Sequence, residues 1–119
     1  MKTKKELKRE YKEMKFPMGV FRIRNTADGK AWIGSSTNLK AVWNSERFQL
    51  RLGSHPNRIL QKDWLKFGED KFVYEIVDEI KPKDDDTAAD HARDVKSLEK
   101  LYIEDLKPYY NSVYNQKKK

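Results

Sequence analysis

The chain of 119 residues contains no cysteine. Thiol nucleophiles, disulfide frameworks and zinc ribbons are therefore excluded. The most informative carboxylate is Glu99. Ala88, Ala92, Val95, Glu99, Tyr102 and Leu106 step by 4, 3, 4, 3 and 4, the spacing of a core-facing stripe on an amphipathic helix. An ionised carboxylate within such a stripe is costly unless it is ion-paired, hydrogen-bonded or bound to a metal. Two readings stay open. Glu99 sits at the edge of the stripe and pairs with a nearby lysine, or it is an oxygen ligand for a divalent cation such as Mg²⁺ or Mn²⁺. His55, in the breaker Gly53-Ser54-His55-Pro56, is either a loop histidine without function or a base acting in its own geometry.

The charge balance points toward a polyanionic partner. The formal net charge is +7. Residues 1–60 carry 14 basic and 5 acidic side chains, whereas residues 61–119 carry 12 and 14. A basic half facing an acidic half steers polyanions to one surface. Arg22, Arg24, Lys30, Arg47 and Arg51 are the candidate phosphate contacts. No apolar run approaches the roughly 18 residues of a membrane span. The opening MKTKKELKREYKEMK lacks the apolar region of a secretory signal, so a cytoplasmic location is expected.

The elements that must position these residues follow from periodicity and punctuation. Residues 1–16 read as a short helical extension stopped by Pro17. Met18 to Arg24 and Lys30 to Gly34 read as two strands joined through Asp28-Gly29, a hairpin signal. Phe21 and Ile23 share one face of the first strand, Arg22 and Arg24 the other. Ser35 to Asn38 supply caps for a helix beginning near Leu39, whose apolar positions are Leu39, Val42, Trp43 and Leu50. A second helix, capped by Asn57 and ended at Gly68, carries Ile59, Leu60, Trp64 and Phe67. Phe72 to Val77 reads as a third, more buried strand. A last helix spans Thr87 to Leu106, with an extended tail from Lys107 onward and basic residues at 115–119. A tight hairpin forces antiparallel pairing. The expected fold is α+β, a small three-stranded antiparallel sheet flanked by helices.

Read as motifs, the same stretches resemble the GIY-YIG nuclease family. Gly19-Val20-Phe21, ten intervening residues, and Trp32-Ile33-Gly34 stand where the family has its two signature tripeptides. The small-polar run Ser35 to Lys40 resembles the family's approach to its first helix. Trp43, the segment Gly53 to Asn57, Leu60 to Trp64 and Phe67 to Phe72 resemble homing-endonuclease-like members. Leu98 to Ile103 with Pro108-Tyr109-Tyr110-Asn111 resembles the closing helix and its asparagine. The likeness covers about residues 18–114, and the resemblance sets a GIY-YIG-like domain at 17–114.

The resemblance implies metal-dependent hydrolysis of DNA phosphodiesters, with two tyrosines and an arginine around the phosphate, a glutamate on one divalent cation and a supporting asparagine. In this sequence Phe21 and Trp32 stand at the tyrosine positions and Val42 at the arginine position. Glu99, as the metal ligand, Asn111 and His55 are the retained matches. Phenylalanine has no hydroxyl, and an indole donates a hydrogen bond without exchanging protons. Lys40 lies about 200° and Arg47 about 140° around the helix from Val42, so neither replaces the arginine. A positioned acid or base is worth about 10²–10⁴-fold and an electrostatic stabiliser about 10²–10³-fold. The expectation is a nucleic-acid-binding protein, with duplex DNA as partner, on a nuclease fold with weak or lost hydrolysis. The alternatives are an active endonuclease using Glu99 and one Mg²⁺ or Mn²⁺, and a non-catalytic protein-interaction module whose Asp84-Asp85-Asp86 faces a basic partner.

Overall fold

The computed structural model describes residues 17–81 and 85–112. The expected helical extension at 1–16 and the basic tail at 115–119 lie outside the described residues. The elements are β1 (Met18–Asn25), β2 (Ala31–Ser36), α1 (Leu39–Leu52), α2 (Arg58–Phe67), β3 (Phe72–Ile80) and α3 (Ala88–Leu106). The expected α+β architecture is the one observed. Among the described residues, no helix is long and apolar enough to cross a membrane.

Local chemistry sets the boundaries. Gly29 takes φ 79° in the hairpin turn, and its N–H donates to the Asn25 carbonyl at 2.8 Å. Asn38 caps α1 by accepting from the Ala41 N–H. Asn57 caps α2 by accepting from the Leu60 N–H. Thr87 and Asp90 form a reciprocal capping box at the start of α3, which satisfies two backbone donors that the helix itself leaves free.

The three strands pair antiparallel in the order β2-β1-β3, with a bulge between Val20 and Phe21 on the β3 side. The central strand β1 is therefore the buried one: Met18, Val20, Phe21 and Ile23 are all at most 2% exposed. This corrects the expectation for β3. As an edge strand with a neighbour on one side only, it buries Phe72 and leaves Ile76 47% exposed.

Alternation along β1 divides the core. Phe21 and Ile23 join Leu39 and Leu50 of α1, Leu60 and Trp64 of α2, Phe72 and Tyr110 in one cluster. On the other face α3 reaches the sheet through Ser35 and Asp78, which bond Glu99 and Tyr102. Only the middle of the expected α3 stripe is covered. Val95 is buried, whereas Ala88, Ala92 and Leu106 are exposed. A helix of 19 residues is about 28 Å long, and the stripe residues at both of its ends stay exposed.

Residues 109–112 form a helical turn, with the Ser112 N–H on the Pro108 carbonyl, rather than an extended tail. The turn closes the outer edge of β2. The Asn111 amide donates to the Ile33 carbonyl at 2.9 Å and accepts from its N–H at 2.8 Å, reproducing the bonds of a neighbouring strand. The Tyr110 hydroxyl donates to Asp63 at 2.8 Å and accepts from Asn25. Burial raises this phenol well above its ordinary range.

Two glycines are required by close approach. A Cβ on Gly19 would fall 2.1 Å from the Asp78 carbonyl oxygen, and one on Gly34 would fall 2.6 Å from the tip of the Phe21 ring. Gly34→Ala is expected to cost about 1–3 kcal/mol through overpacking, measured by urea denaturation. An unchanged midpoint would show that the Phe21 ring moves aside freely.

Candidate functional site

The residues at the two tripeptides meet on the sheet face that α1 and α2 cover. Phe21 and Gly34 are register partners across β1 and β2. The Phe21 ring, 1% exposed, crosses Gly34 and lies edge-on to Trp32 with centroids 5.6 Å apart. Its other neighbour is Tyr74 at 5.6 Å. Tyr74 stacks on Trp43 and donates its hydroxyl to the Leu39 carbonyl at 2.7 Å. Val42 and Trp43 pack against the same cluster. The structure thus brings Phe21, Trp32 and Val42 together around one aromatic core. Tyr74, a phenol against the Phe21 ring, is committed to the start of α1, and burial raises its pKa above the ordinary phenol value.

His55 is not a free loop side chain. It is fully buried, with its ring edge-on to Trp32 at 5.1 Å. Its Nδ1 accepts from the Asn57 N–H at 3.0 Å. A neutral ring accepting at Nδ1 carries its proton on Nε2, and this proton is donated to Glu46 Oε2 at 2.5 Å. Both ring nitrogens are therefore occupied by the protein, and neither reaches a substrate without breaking a buried bond. Glu46 escaped the sequence reading, although a signal was present: it follows Val42 by one helical turn and shares its face.

Of the two readings left open by its spacing, the ion pair with a nearby lysine is the one observed at Glu99. Its side chain is 18% exposed. One oxygen accepts from the Ser35 hydroxyl at 3.2 Å, and the other faces the Lys96 ammonium at 3.6 Å. Ser35 follows Gly34 directly, so Glu99 is anchored beside the second tripeptide. Among the described residues, no group of three or more His, Asp or Glu converges to hold a metal ion. Glu99 by itself is not a preformed cage; a Mg²⁺ held there would need phosphate and water oxygens to complete its coordination. Asn111 acts on the backbone of Ile33, in the middle of the same tripeptide.

The five candidate phosphate contacts do not share a surface, and four carry a counter-charge. Arg22 and Arg24 both reach Glu75 Oε1, at 3.0 and 2.9 Å, on the sheet face opposite Phe21. Arg51 of α1 grips Glu69 through two bonds. Lys30 pairs with Asp28 at 3.5 Å and lies over the Tyr109 ring. Arg47 bonds Asn44 and lies over Trp43, beside a cleft of about 500 Å³ between α1 and the start of β3.

Comparison with solved structures gives the class of this architecture. The catalytic domain of homing endonuclease I-TevI is 26% identical, with a TM-score of 0.62 over 76% of this chain and 88% of that one. A single-residue variant of the catalytic domain of the same intron endonuclease is 23% identical, with a TM-score of 0.65 over 77% and 86%. I-TevI is a GIY-YIG homing endonuclease, and the chain has a GIY-YIG-like fold. No protein-family profile and no curated protein matches the chain.

Two tests follow. His55→Ala strands a buried N–H and a mostly buried carboxylate, and is expected to cost about 2–5 kcal/mol in chemical denaturation; a cost under about 1 kcal/mol would show that the dyad is dispensable. For pH, the hydrogen bond from Arg24, aided by Arg22, holds the Glu75 carboxyl below its ordinary value of 4.5. Its stabilisation is present above that value and disappears as pH falls through the lower native value. Glu75→Gln is therefore expected to reduce stability at neutral pH and to flatten the acid limb of the stability curve. An acid limb identical to that of the wild type would remove Glu75 from the account.

Proposed function

We propose that the chain binds nucleic acid, with duplex DNA as its partner, on a nuclease fold whose hydrolytic capacity is weak or lost. The observation that carries this reading is the apolar packing of Phe21, Trp32 and Val42. Where the family resemblance implies two hydroxyls and a guanidinium, the chain has two rings edge-on to one another and an aliphatic side chain in the core.

The remaining polar groups support binding over cleavage. His55 has no free ring nitrogen, and the Tyr74 hydroxyl is used by the backbone. Glu99, supported by Ser35, is the residue that would hold a divalent cation against a phosphate. A bound cation would polarise the phosphoryl oxygen, while the positions where the resemblance implies tyrosines carry Phe21 and Trp32, which cannot take a proton from water. Phosphate binding needs only cations and backbone donors, and the chain retains a net charge of +7. The fold likeness to an endonuclease catalytic domain supports the choice of nucleic acid as partner.

Affinity for a duplex of about 20 base pairs, measured by fluorescence anisotropy, is expected to fall steeply as salt rises from about 50 to 200 mM, as counterion release requires. Binding that does not respond to salt, or no binding at all, contradicts the proposal.

A further inference from the structure

We infer that the outward face of α2 is the nucleic-acid backbone contact, through Arg58, Lys62 and Lys66. The inference rests on the proposed function and gives it a surface. These three cations recur at every fourth position, so they form one stripe with a rise of about 6 Å per step. All three are exposed. Among the described residues, none of them enters an ion pair, in contrast to Arg22, Arg24, Lys30 and Arg51.

The acidic group on α2 is withdrawn from this face. Asp63 accepts from the Tyr110 hydroxyl at 2.8 Å, which turns it toward the C-terminal turn. Arg58 is pre-positioned: one guanidinium nitrogen donates to the Gly53 carbonyl at 3.0 Å, leaving its other donors available. Among the described residues Lys62 enters no hydrogen bond or ion pair, and Lys66 lies over Phe67 at 5.2 Å. Past the helix, Asp70 is followed at once by Lys71, and Glu69 is neutralised by Arg51. α3 offers no such stripe. Its Arg93 lies against Asp90 and Asp94, and its Lys96 against Glu99.

The chemistry favours a phosphate backbone over a lipid surface. A helix that lies on a membrane needs a broad apolar face beside its cations. Here Ile59, Leu60, Trp64 and Phe67 turn inward, and Leu65 is the exposed apolar residue of the helix. A row of cations without base-reading side chains binds irrespective of sequence.

The test is the salt dependence of duplex binding for wild type, Lys62→Gln/Lys66→Gln, and Arg93→Gln/Lys100→Gln as a control at two exposed positions of α3, on the opposite face of the sheet. The slope of log K against log salt is expected to shrink by about 2 in the α2 variant, equally on unrelated sequences, and to stay at the wild-type value in the control. Thermal unfolding of the α2 variant should match wild type, since both side chains are exposed. Salt-sensitive binding by wild type with an unchanged slope in the α2 variant overturns the inference and leaves the proposed function standing. A wild-type chain that binds no duplex, or binds only anionic phosphatidylserine vesicles, overturns both.

Discussion

The constraint on which the sheet face beneath α1 and α2 depends is the passage of the Phe21 ring over Gly34. Register pairing sets these residues opposite each other on β1 and β2, and the ring fills the space in which any other residue at position 34 would place its Cβ. From this contact an aromatic chain runs outward. Trp32 and His55 continue it to one side, and Tyr74, Trp43, Trp64 and Phe72 to the other. Such rings bury large apolar areas, and their edge-on contacts add to that burial. The tripeptide residues on this face are continuous with the hydrophobic core.

Polar groups have been retained where they fix the backbone. Asn111 supplies Ile33 with the two bonds of a missing strand. His55 and Gln61 tie the loop between α1 and α2: the His55 N–H donates to Gln61, and Gln61 donates to the Leu50 carbonyl. Asn57 caps α2 and donates to the Tyr110 carbonyl. Each group satisfies a buried donor or acceptor that would otherwise cost about 1–3 kcal/mol. At His55 and Asn111, which resemble positions of the nuclease motif, the observed bonds are to the protein itself.

Much of the architecture was legible in the residues. Asp28-Gly29, Asn38 and Asn57 mark a turn and two caps whose chemistry is local, so their positions survive folding. The alternation of Phe21 and Ile23 against Arg22 and Arg24 also held. What periodicity misjudged depended on tertiary coverage. β3 has the composition of a buried strand, yet it pairs on one side only. The α3 stripe outruns the sheet beneath it. Pairings between distant residues left no mark in spacing: Glu75 draws in two arginines from β1, and Asp63 meets Tyr110 across 47 positions. Glu46 was the readable omission, one turn beyond Val42.

The central claim is that replacing two hydroxyls and a guanidinium by Phe21, Trp32 and Val42 separates recognition from hydrolysis. Its most direct measurement is conversion of supercoiled plasmid by the purified protein with Mg²⁺ or Mn²⁺, alongside Glu99→Ala. The account predicts intact supercoiled DNA in both samples, under conditions where the protein is bound. Rapid metal-dependent nicking by wild type that disappears in Glu99→Ala would contradict it.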